Sequence, residues 1–367
     1  MPFFSFNNIN MTAVAAAVPS EIVEVDSFKP QFGDELVDRF KILTGIKQFR
    51  KTAPHQTASD LGYVAAEEII NRKNVDRESI GALVFVAHST DYRRPATACV
   101  LHKRLELSKE CVAFDVSLGC SAFVYGLQIV CSLMANSDIE RALLVVGETL
   151  TKMTYPKDKS VAMLFGDAGG AVLLEKKQDA EIKGLLRTDG TGYRAIIAPA
   201  GGFRNINADS RPMVWDDGNE RTLYNTYMNG TDVFNFSISD VPKAIKDFLQ
   251  KTNTTVEDYD YYIMHQANYF IHKQLSKKLK MPLEKMPVCL DRYGNSSAAA
   301  LPLTLCDRFG NTDEGTIKTL LCGFGVGLSW GVASATLETS GIYPIIESDD
   351  VFTEGIINKP EDFKKQE

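Results

Sequence analysis

Three side chains with complementary chemistry each follow a short apolar run of the sequence. The first is Cys120, which stands in Gly119-Cys120-Ser121-Ala122 after the run 112–116 and directly before a helical pattern. A thiol in the first turn of a helix is expected to have a lowered pKa, because unpaired N–H groups and the positive end of the helix dipole favour the thiolate. A thiolate attacks carbonyl carbons, so the motif predicts a nucleophilic cysteine.

A histidine and an asparagine occupy comparable places in the second half of the chain. His265 follows the run 261–264, and Asn295 follows the apolar run 287–291. An imidazole can accept a proton or donate a hydrogen bond, and a carboxamide is a neutral donor to a developing oxyanion. We expect both groups to assist chemistry at a carbonyl group held near Cys120.

The glycine-rich segment Gly323-Phe324-Gly325-Val326-Gly327 offers a further donor. It lacks the G-x-G-x-x-G spacing and the following helix of a dinucleotide site. Glycine on each side of Val326 permits a close approach of the backbone, so this segment can aim an N–H group into a site.

The elements that must position these residues occur twice along the chain. Strand-like apolar runs alternate with helical patterns, which indicates an α/β fold with buried strands at 82–87, 112–116, 142–146, 261–264, 287–291 and 316–321. Asn295 lies 175 residues after Cys120, and the neighbouring runs repeat at similar separations. Ligands of open α/β sheets bind at the carboxyl ends of strands. Two repeats related by a two-fold axis would bring Cys120, His265 and Asn295 to one cleft.

Composition narrows the class of protein. The 367 residues are 44% hydrophobic and 24% charged, which is typical of a globular chain and excludes disordered or collagenous classes. Forty basic against 47 acidic residues give a net charge of -7, with no concentrated Lys/Arg tract, so we expect neither nucleic acid nor a membrane as partner. The longest apolar runs are far shorter than the ~20 residues of a membrane span. We therefore expect a cytoplasmic protein.

The cysteines and histidines show no spacing of a metal site. Seven cysteines and five histidines include neither a C-x-x-C pair nor an H-E-x-x-H motif. We expect no metal, and most cysteines are interpreted as small buried side chains.

Five ordered motifs give the chain a resemblance to a known family. It resembles the thiolase superfamily, and within it the β-ketoacyl-acyl-carrier-protein synthase III group, from Thr44-Gly45-Ile46 to Trp330-Gly331. The motifs are Gly119-Cys120-Ser121-Ala122, Phe165-Gly166-Asp167-Ala168-Gly169, His265-Gln266-Ala267-Asn268, Tyr293-Gly294-Asn295-Ser296-Ser297-Ala298 and Phe324-Gly325-Val326-Gly327-Leu328-Ser329-Trp330-Gly331. The resemblance implies a five-layered αβαβα fold of two pseudo-repeats, residues 1–178 and 179–338, followed by a C-terminal extension at 339–367. It also implies a homodimer.

The resemblance implies a decarboxylative Claisen condensation that gives a 3-oxoacyl product. Cys120 would take an acyl group from a thioester, with the backbone N–H groups of Cys120 and Val326 as the oxyanion hole. His265 and Asn295 would stabilise the enolate formed when a malonyl thioester loses carbon dioxide. The implied partners are an acyl carrier protein, acyl-coenzyme A or both, and no cofactor is implied beyond these thioesters.

Further residues are assigned to substrate binding by the same resemblance. Those matching the pantetheine tunnel and acyl pocket are Leu164, Phe165, Met228, Gly230, Phe234 and Asn268. Arg94 replaces an apolar residue where a partner subunit caps the acyl pocket; it either favours a polar or anionic group there or turns to solvent. We define the basic face as Lys273, Lys277, Lys278 and Lys280, which suits an acidic carrier protein or a phosphate unless it is only a solvated helix face.

Departures from the family pattern keep alternatives open. The family's adenine clamp is a Trp with an Arg just before Thr44-Gly45-Ile46, and it is missing here, where the stretch reads Arg39-Phe40-Lys41-Ile42-Leu43. Phe270 replaces an Arg, which weakens the expectation of carrier docking at that point. The missing clamp and Arg94 favour a specialised fatty acid or polyketide-like pathway. Acyl transfer to an oxygen or nitrogen acceptor without decarboxylation is one alternative. Hydroxymethylglutaryl-coenzyme A synthase-like condensation needs a glutamate where the stretch from His88 to Asp91 stands. A thiolase would use a second cysteine, for which Cys322 is nearby.

Overall fold

The architecture is built on one large mixed sheet. The computed structural model describes residues 2–363. The strands of this sheet are Phe3–Val18 (β1), Ile80–Val86 (β2), Val112–Val116 (β3), Arg141–Glu148 (β4), Ala168–Thr188 (β5), Tyr261–Met264 (β6), Thr316–Gly325 (β7), Ser329–Glu338 (β8) and Ile346–Glu347 (β9). Two-residue and three-residue strands form three small pairs: Ile22–Glu24 with Gln48–Arg50, Ile196–Ile197 with Tyr227–Met228, and Met213–Val214 with Glu220–Arg221.

Two long strands carry the sheet from one half of the chain to the other. The first part of β5 pairs with β4 and the second part with β8, while β1 runs antiparallel to β5 on its other side. Counted along the chain, the first half has the strand order 3-2-4-5-1, from β3 through β2, β4 and β5 to β1. The second half repeats it without the third strand, from β6 through β7 and β8 to β5. This confirms the predicted repeat of one α/β unit.

Helices cover the sheet on both outer faces and fill the space between its halves. The longer helices are Asp34–Thr44 (α1), Ala58–Lys73 (α2), Thr97–Arg104 (α3), Ala122–Ala135 (α4), Gly230–Thr252 (α5), Tyr269–Leu279 (α6) and Ala300–Phe309 (α7), and two short ones are Lys29–Phe32 and Leu290–Tyr293. The core between the halves contains α4 and α7, whereas α2 and α3 pack outside the first half and α5 and α6 outside the second. The five-layered αβαβα fold is therefore confirmed.

Strand periodicity explains how one strand serves two cores. Leu83 and Phe85 of β2 point to the outer core, and Val84 and Val86 point to the core between the halves. Successive strand residues face opposite sides of a sheet, and a strand covered on both sides is apolar at every position. The position of α4 between the two halves of the sheet thus follows from the uniformly apolar strands that the sequence shows.

One predicted strand is wrong. Residues 287–291 form no strand, and Leu290–Tyr293 is a short helix. Gln266 holds this segment in place, since its side-chain amide donates to the Pro287 carbonyl and accepts from the Cys289 N–H. Side-chain bonds therefore replace the ladder that a third strand would have made, and an apolar composition alone did not distinguish the two.

The predicted C-terminal extension packs against the first half of the chain. Its strand β9 pairs with β1, and Glu347 accepts a 2.6 Å bond from Arg50. Farther along, Arg104 is bonded to Asp350 and lies over the ring of Phe352. Residues 364–367 of the extension lie outside the described residues. The predicted division at 178/179 falls inside β5 and stays a prediction.

Candidate active site

A cavity of about 540 Å³ lies where the two halves meet, and its wall includes Cys120, His265 and Asn295. Each of these residues follows an element that belongs to a different part of the chain: β3 for Cys120, β6 for His265 and the short helix Leu290–Tyr293 for Asn295. The cavity therefore brings together the three side chains that the sequence singled out.

Cys120 stands in the tight turn between β3 and α4. The turn is closed by a 2.7 Å bond from the Ala122 N–H to the Gly119 carbonyl, and Ser121 is the N-cap of α4. The cysteine thus precedes the helix, whereas the sequence placed it in the first turn. The thiol is 8% exposed and faces the tip of the β7–β8 hairpin. A Cβ on Gly325 would lie 2.8 Å from Sγ, so only glycine allows this approach.

Burial raises the pKa of the Cys120 thiol above its ordinary value, which corrects the expectation of a lowered pKa. A hydrogen bond with Ser297, whose Oγ lies 3.5 Å from Sγ, and the backbone N–H groups of Val326 and Cys120 all oppose that effect. Desolvation is the largest of these influences because the two halves of the chain close over the turn. The resting sulfur is therefore a thiol, and neutral donors already surround it.

The backbone N–H groups of Cys120 and Val326 both face the sulfur. Neither is bonded to a backbone carbonyl anywhere in residues 2–363. Two serines fix their relative position: the Ser329 hydroxyl donates to the Val326 carbonyl at 2.8 Å and lies 2.7 Å from the hydroxyl of Ser121. Because the one proton of Ser329 is committed to Val326, Ser121 donates to Ser329. This pair of serines connects the turn that carries Cys120 to the tip of the β7–β8 hairpin.

His265 follows β6 and is held by its own backbone. Its N–H donates to the Cys322 carbonyl at 2.8 Å, and its carbonyl lies 3.1 Å from Nε2 of the buried His272. The ring stands edge-on to Phe324, with 5.3 Å between ring centroids. Burial, with a smaller contribution from His272, lowers the pKa of His265 to about 3. The imidazole is therefore neutral near pH 7.

Asn295 is fixed by hydrogen bonds on its backbone and on its side chain. Its backbone accepts from Gly166 N–H at 3.1 Å and donates to the Leu164 carbonyl at 2.9 Å. Its Oδ1 accepts a 3.0 Å bond from the N–H of Ser297, a residue with φ of 48°. Because Oδ1 is occupied, the amide group Nδ2 remains as the donor that Asn295 presents to the cavity.

The six residues matched to a tunnel and acyl pocket also border the cavity. They are Leu164, Phe165, Met228, Gly230, Phe234 and Asn268. Asn268 has a structural role as well, since its Oδ1 caps α6 by accepting from the Ile271 N–H at 2.8 Å. Their roles toward a substrate stay predictions.

Arg94 does not border the cavity. Its side chain is exposed and makes no hydrogen bond or ion pair with the described residues. Its predicted contact with an acyl pocket stays a prediction that requires a partner subunit.

The basic face lies on the surface of α6 and at its end. Lys273, Lys277 and Lys278 are in the helix, and Lys280 is its C-cap residue with φ of 57°. All four lysines are exposed. Lys273 lies over the ring of Tyr269, 4.4 Å from its centroid. The face is therefore accessible, and its binding of a carrier stays a prediction.

Sequence reasoning missed three contributors to the site. Ser297 touches the sulfur, His272 supports His265, and His88 borders the cavity. Ser297 belongs to the same motif as Asn295. The positive φ of Ser297 could not be predicted, because a serine residue gives no sequence signal for that conformation. The sequence marks His88 only as one of the residues that stand where hydroxymethylglutaryl-coenzyme A synthase chemistry needs a glutamate.

The thiolase alternative requires a second cysteine that borders the cavity. Cys322 is fully buried in the outer core of the second half and does not border the cavity, so it is not placed as a second catalytic thiol.

Residues 2–363 contain no group of His, Cys, Asp or Glu side chains arranged to hold a metal ion. Within the same residues, no helix has both the length and the apolar composition needed to cross a membrane.

Comparisons with known proteins agree on one family. Residues 114–190 match the family described as 3-oxoacyl-[acyl-carrier-protein (ACP)] synthase III, and residues 249–337 match its C-terminal counterpart. A putative 3-oxoacyl-[acyl-carrier-protein] synthase 3 of Campylobacter jejuni is 32% identical, covering 92% of this chain and 96% of that protein. A beta-ketoacyl-[acyl-carrier-protein] synthase III of Acholeplasma laidlawii is 31% identical, with 89% and 97% covered.

Solved structures agree with these sequence matches. The crystal structure of a 3-oxoacyl-(acyl-carrier protein) synthase from Burkholderia xenovorans has a TM-score of 0.88 and 34% identity, covering 94% of this chain and 99% of that chain. The beta-ketoacyl-[acyl carrier protein] synthase III of Thermus thermophilus has a TM-score of 0.77 and 30% identity, with 89% and 98% covered.

Proposed function

The chain belongs to the 3-oxoacyl-[acyl-carrier-protein] synthase III family, and from this premise we propose how its cavity performs the decarboxylative condensation of that family. The observation that carries the proposal is the meeting of Cys120, His265 and Asn295 in one cavity, beside the N–H groups of Cys120 and Val326. Acyl transfer to the cysteine is the first step, and condensation with a malonyl thioester is the second.

In the first step the Cys120 sulfur attacks the acyl thioester. A new S–C bond forms, the bond to the leaving thiol breaks, and the proton of Cys120 ends on that thiol. The negative charge that develops on the carbonyl oxygen is stabilised by the two backbone N–H groups, a contribution worth ~10²–10³-fold in rate per donor in comparable sites. Since these donors are fixed before the substrate binds, they need no reorganisation during the step.

In the second step neutral donors suit the chemistry. As the malonyl group loses carbon dioxide, the electrons of the breaking C–C bond move into the thioester and produce an enolate. His265 and Asn295 donate hydrogen bonds to its oxygen, and the enolate carbon then forms a bond to the acyl carbon and releases the Cys120 thiolate. Because burial keeps the imidazole uncharged, it can donate without itself having to be protonated first.

Acyl carrier protein and acyl-coenzyme A are the thioester carriers used in this family, and we propose that the basic face receives the carrier. The helix α1 contributes Phe40 to the cavity wall, and Ile42 and Leu43 of the same helix are exposed apolar side chains. These apolar residues occupy the stretch in which the family's adenine clamp is missing, which supports a donor other than acetyl-coenzyme A, in a specialised pathway. A homodimer, the absence of a resident cofactor and a cytoplasmic location stay parts of the proposal.

Intact-mass measurements on two variants test the assignment of roles. Cys120→Ser is expected to lose acylation by acyl-coenzyme A, whereas Cys99→Ser, which changes an exposed cysteine that does not border the cavity, keeps it. Asn295→Ala is expected to acylate but to release no carbon dioxide when malonyl-carrier thioester is added. Acylated wild-type protein that transfers its acyl group without release of carbon dioxide would instead identify an acyltransferase.

The specialised pathway has its own test. The wild-type protein is incubated with acetyl-coenzyme A and with longer acyl thioesters at micromolar concentrations. Slow acetylation relative to the longer donors is expected, and rapid acetylation would contradict the specialised assignment.

A further inference from the structure

A second histidine borders the cavity on the side of the first half. His88 follows β2, and its ring lies against the nucleophile turn: a Cβ on Gly119 would be 2.9 Å from His88 Cδ2 and 3.2 Å from the hydroxyl of Ser297. Decarboxylation generates the carbanion without a further base, so the condensation leaves this imidazole unused. It lines the cavity and lies against the turn that carries Cys120, so it can face an acyl group bound in that cavity.

The ring is held in place by residues at the ends of the neighbouring strands. Its Nδ1 lies 3.2 Å from the hydroxyl of Ser117, which follows β3. The backbone N–H groups of His88 and Ser89 donate to the two oxygens of Glu148 at 2.9 Å and 3.1 Å, and the Ser89 hydroxyl donates to the same carboxyl group. The Nε2 atom of His88 has no partner among residues 2–363. The structure thus builds a support for an imidazole whose second nitrogen is free.

The hydrogen bonds of the ring decide which ligand suits this nitrogen. Glu148 is fully buried at the end of β4 and accepts from the N–H groups of His88 and Ser89 and from the Ser89 hydroxyl, so it holds the backbone that carries the ring. Burial raises the pKa of Glu148. With the Ser117 hydroxyl donating to Nδ1, the ring proton is on Nε2. An N–H donor of this kind suits a neutral oxygen, such as that of a hydroxyl or keto group.

We propose that His88 is a specificity-determining residue that donates a hydrogen bond from Nε2 to a neutral oxygen, a hydroxyl or a keto group, on the acyl chain bound to Cys120. The assignment rests on the proposed function and names the acyl class of the same cavity. The apolar residues Leu164 and Phe165 border the same cavity and suit the carbon atoms of that chain. A short acyl thioester that carries one neutral oxygen therefore fits both His88 and the apolar residues of the cavity.

The experiment measures acylation of Cys120 by matched coenzyme A thioesters. Wild-type protein is incubated with butyryl-, 3-hydroxybutyryl- and succinyl-coenzyme A, and the rates are read by intact mass. The hydroxy compound is expected to react about tenfold faster than butyryl, the ratio that one ordinary hydrogen bond provides. His88→Leu is expected to remove that preference while keeping butyryl transfer, and His88→Gln, which retains a donor, is expected to keep part of it.

The control is His55→Leu, because His55 is exposed and lies outside the cavity. It should leave the preference unchanged. Equal rates for butyryl and 3-hydroxybutyryl in the wild type, a preference for succinyl, or the same preference in wild type and His88→Leu would each overturn the inference. Failure of every thioester to acylate Cys120 would refute the proposed function itself, so the two failures are distinguishable.

Discussion

Replacing Ser329 by alanine tests whether the two serines position the oxyanion hole. The Ser329 hydroxyl is 2% exposed and connects Ser121 to the Val326 carbonyl with contacts of 2.7 Å and 2.8 Å. Removing it leaves the carbonyl without its side-chain donor and the Ser121 hydroxyl without its acceptor, which costs roughly 1–3 kcal/mol of folding free energy. The Val326 N–H then loses its fixed distance to Cys120.

The expected decrease in the acylation rate follows from how far the substitution weakens the Val326 oxyanion donor. Deleting an oxyanion donor outright costs ~10²–10³-fold in rate. Ser329→Ala keeps the Val326 N–H but loosens it, so we expect kcat/KM for acylation to fall by about tenfold. The rate is measured by quenching acylation reactions at successive times and determining the intact mass of the protein. Urea denaturation measures the free energy of unfolding.

The matched control is Thr319→Val. Thr319 lies in the same hairpin, is fully buried and donates a comparable 3.0 Å bond to the Ala335 carbonyl, but it does not border the cavity. We expect it to lose similar stability and to retain acylation. If Ser329→Ala and Thr319→Val lose stability alike and both acylate at the wild-type rate, the serine pair does not position the oxyanion hole.

Three further predictions concern the sulfur, the imidazole and the carrier. Gly325→Ala is expected to abolish acylation in a folded protein, because its Cβ would lie 2.6 Å from Cys120 Cβ; near-normal acylation with unchanged circular dichroism would contradict this. Burial lowers the pKa of His265 from 6.5 to about 3, so the unfolded chain binds a proton below pH 6.5 that the folded chain does not. Stability should therefore fall by roughly 2 kcal/mol from this group between pH 7 and pH 5, and denaturation of His265→Gln should show a smaller fall than denaturation of His55→Gln. Reversing the charge of the basic face to Glu is expected to weaken condensation with malonyl-carrier thioester, seen as a higher KM that depends on salt, while acylation from acyl-coenzyme A is kept; equal effects on both would exclude carrier docking there.

The chemistry of the site was readable because it is carried by residue types in compact motifs. A cysteine in a strand-to-helix turn, a histidine after a strand and the glycines around Val326 each occupy a few consecutive residues, so local pattern was sufficient to identify them. The α/β alternation was equally readable, since the buried strand β2 has no polar side chain along its length. The run 287–291 shows the limit of that reasoning, because its conformation depends on the side chain of Gln266.

The sequence by itself determined the three candidate catalytic side chains, Cys120, His265 and Asn295, and the repeated architecture of this protein. Tertiary structure alone decided the protonation of these groups, since the burial that raises the pKa of Cys120 and lowers that of His265 comes from layers contributed by distant parts of the chain. It also decided that Ser297 stands beside the sulfur and that His88 lies against Gly119 in the turn that carries it. Desolvation and contact depend on how the two halves close over each other, and no local pattern of residues encodes that distance.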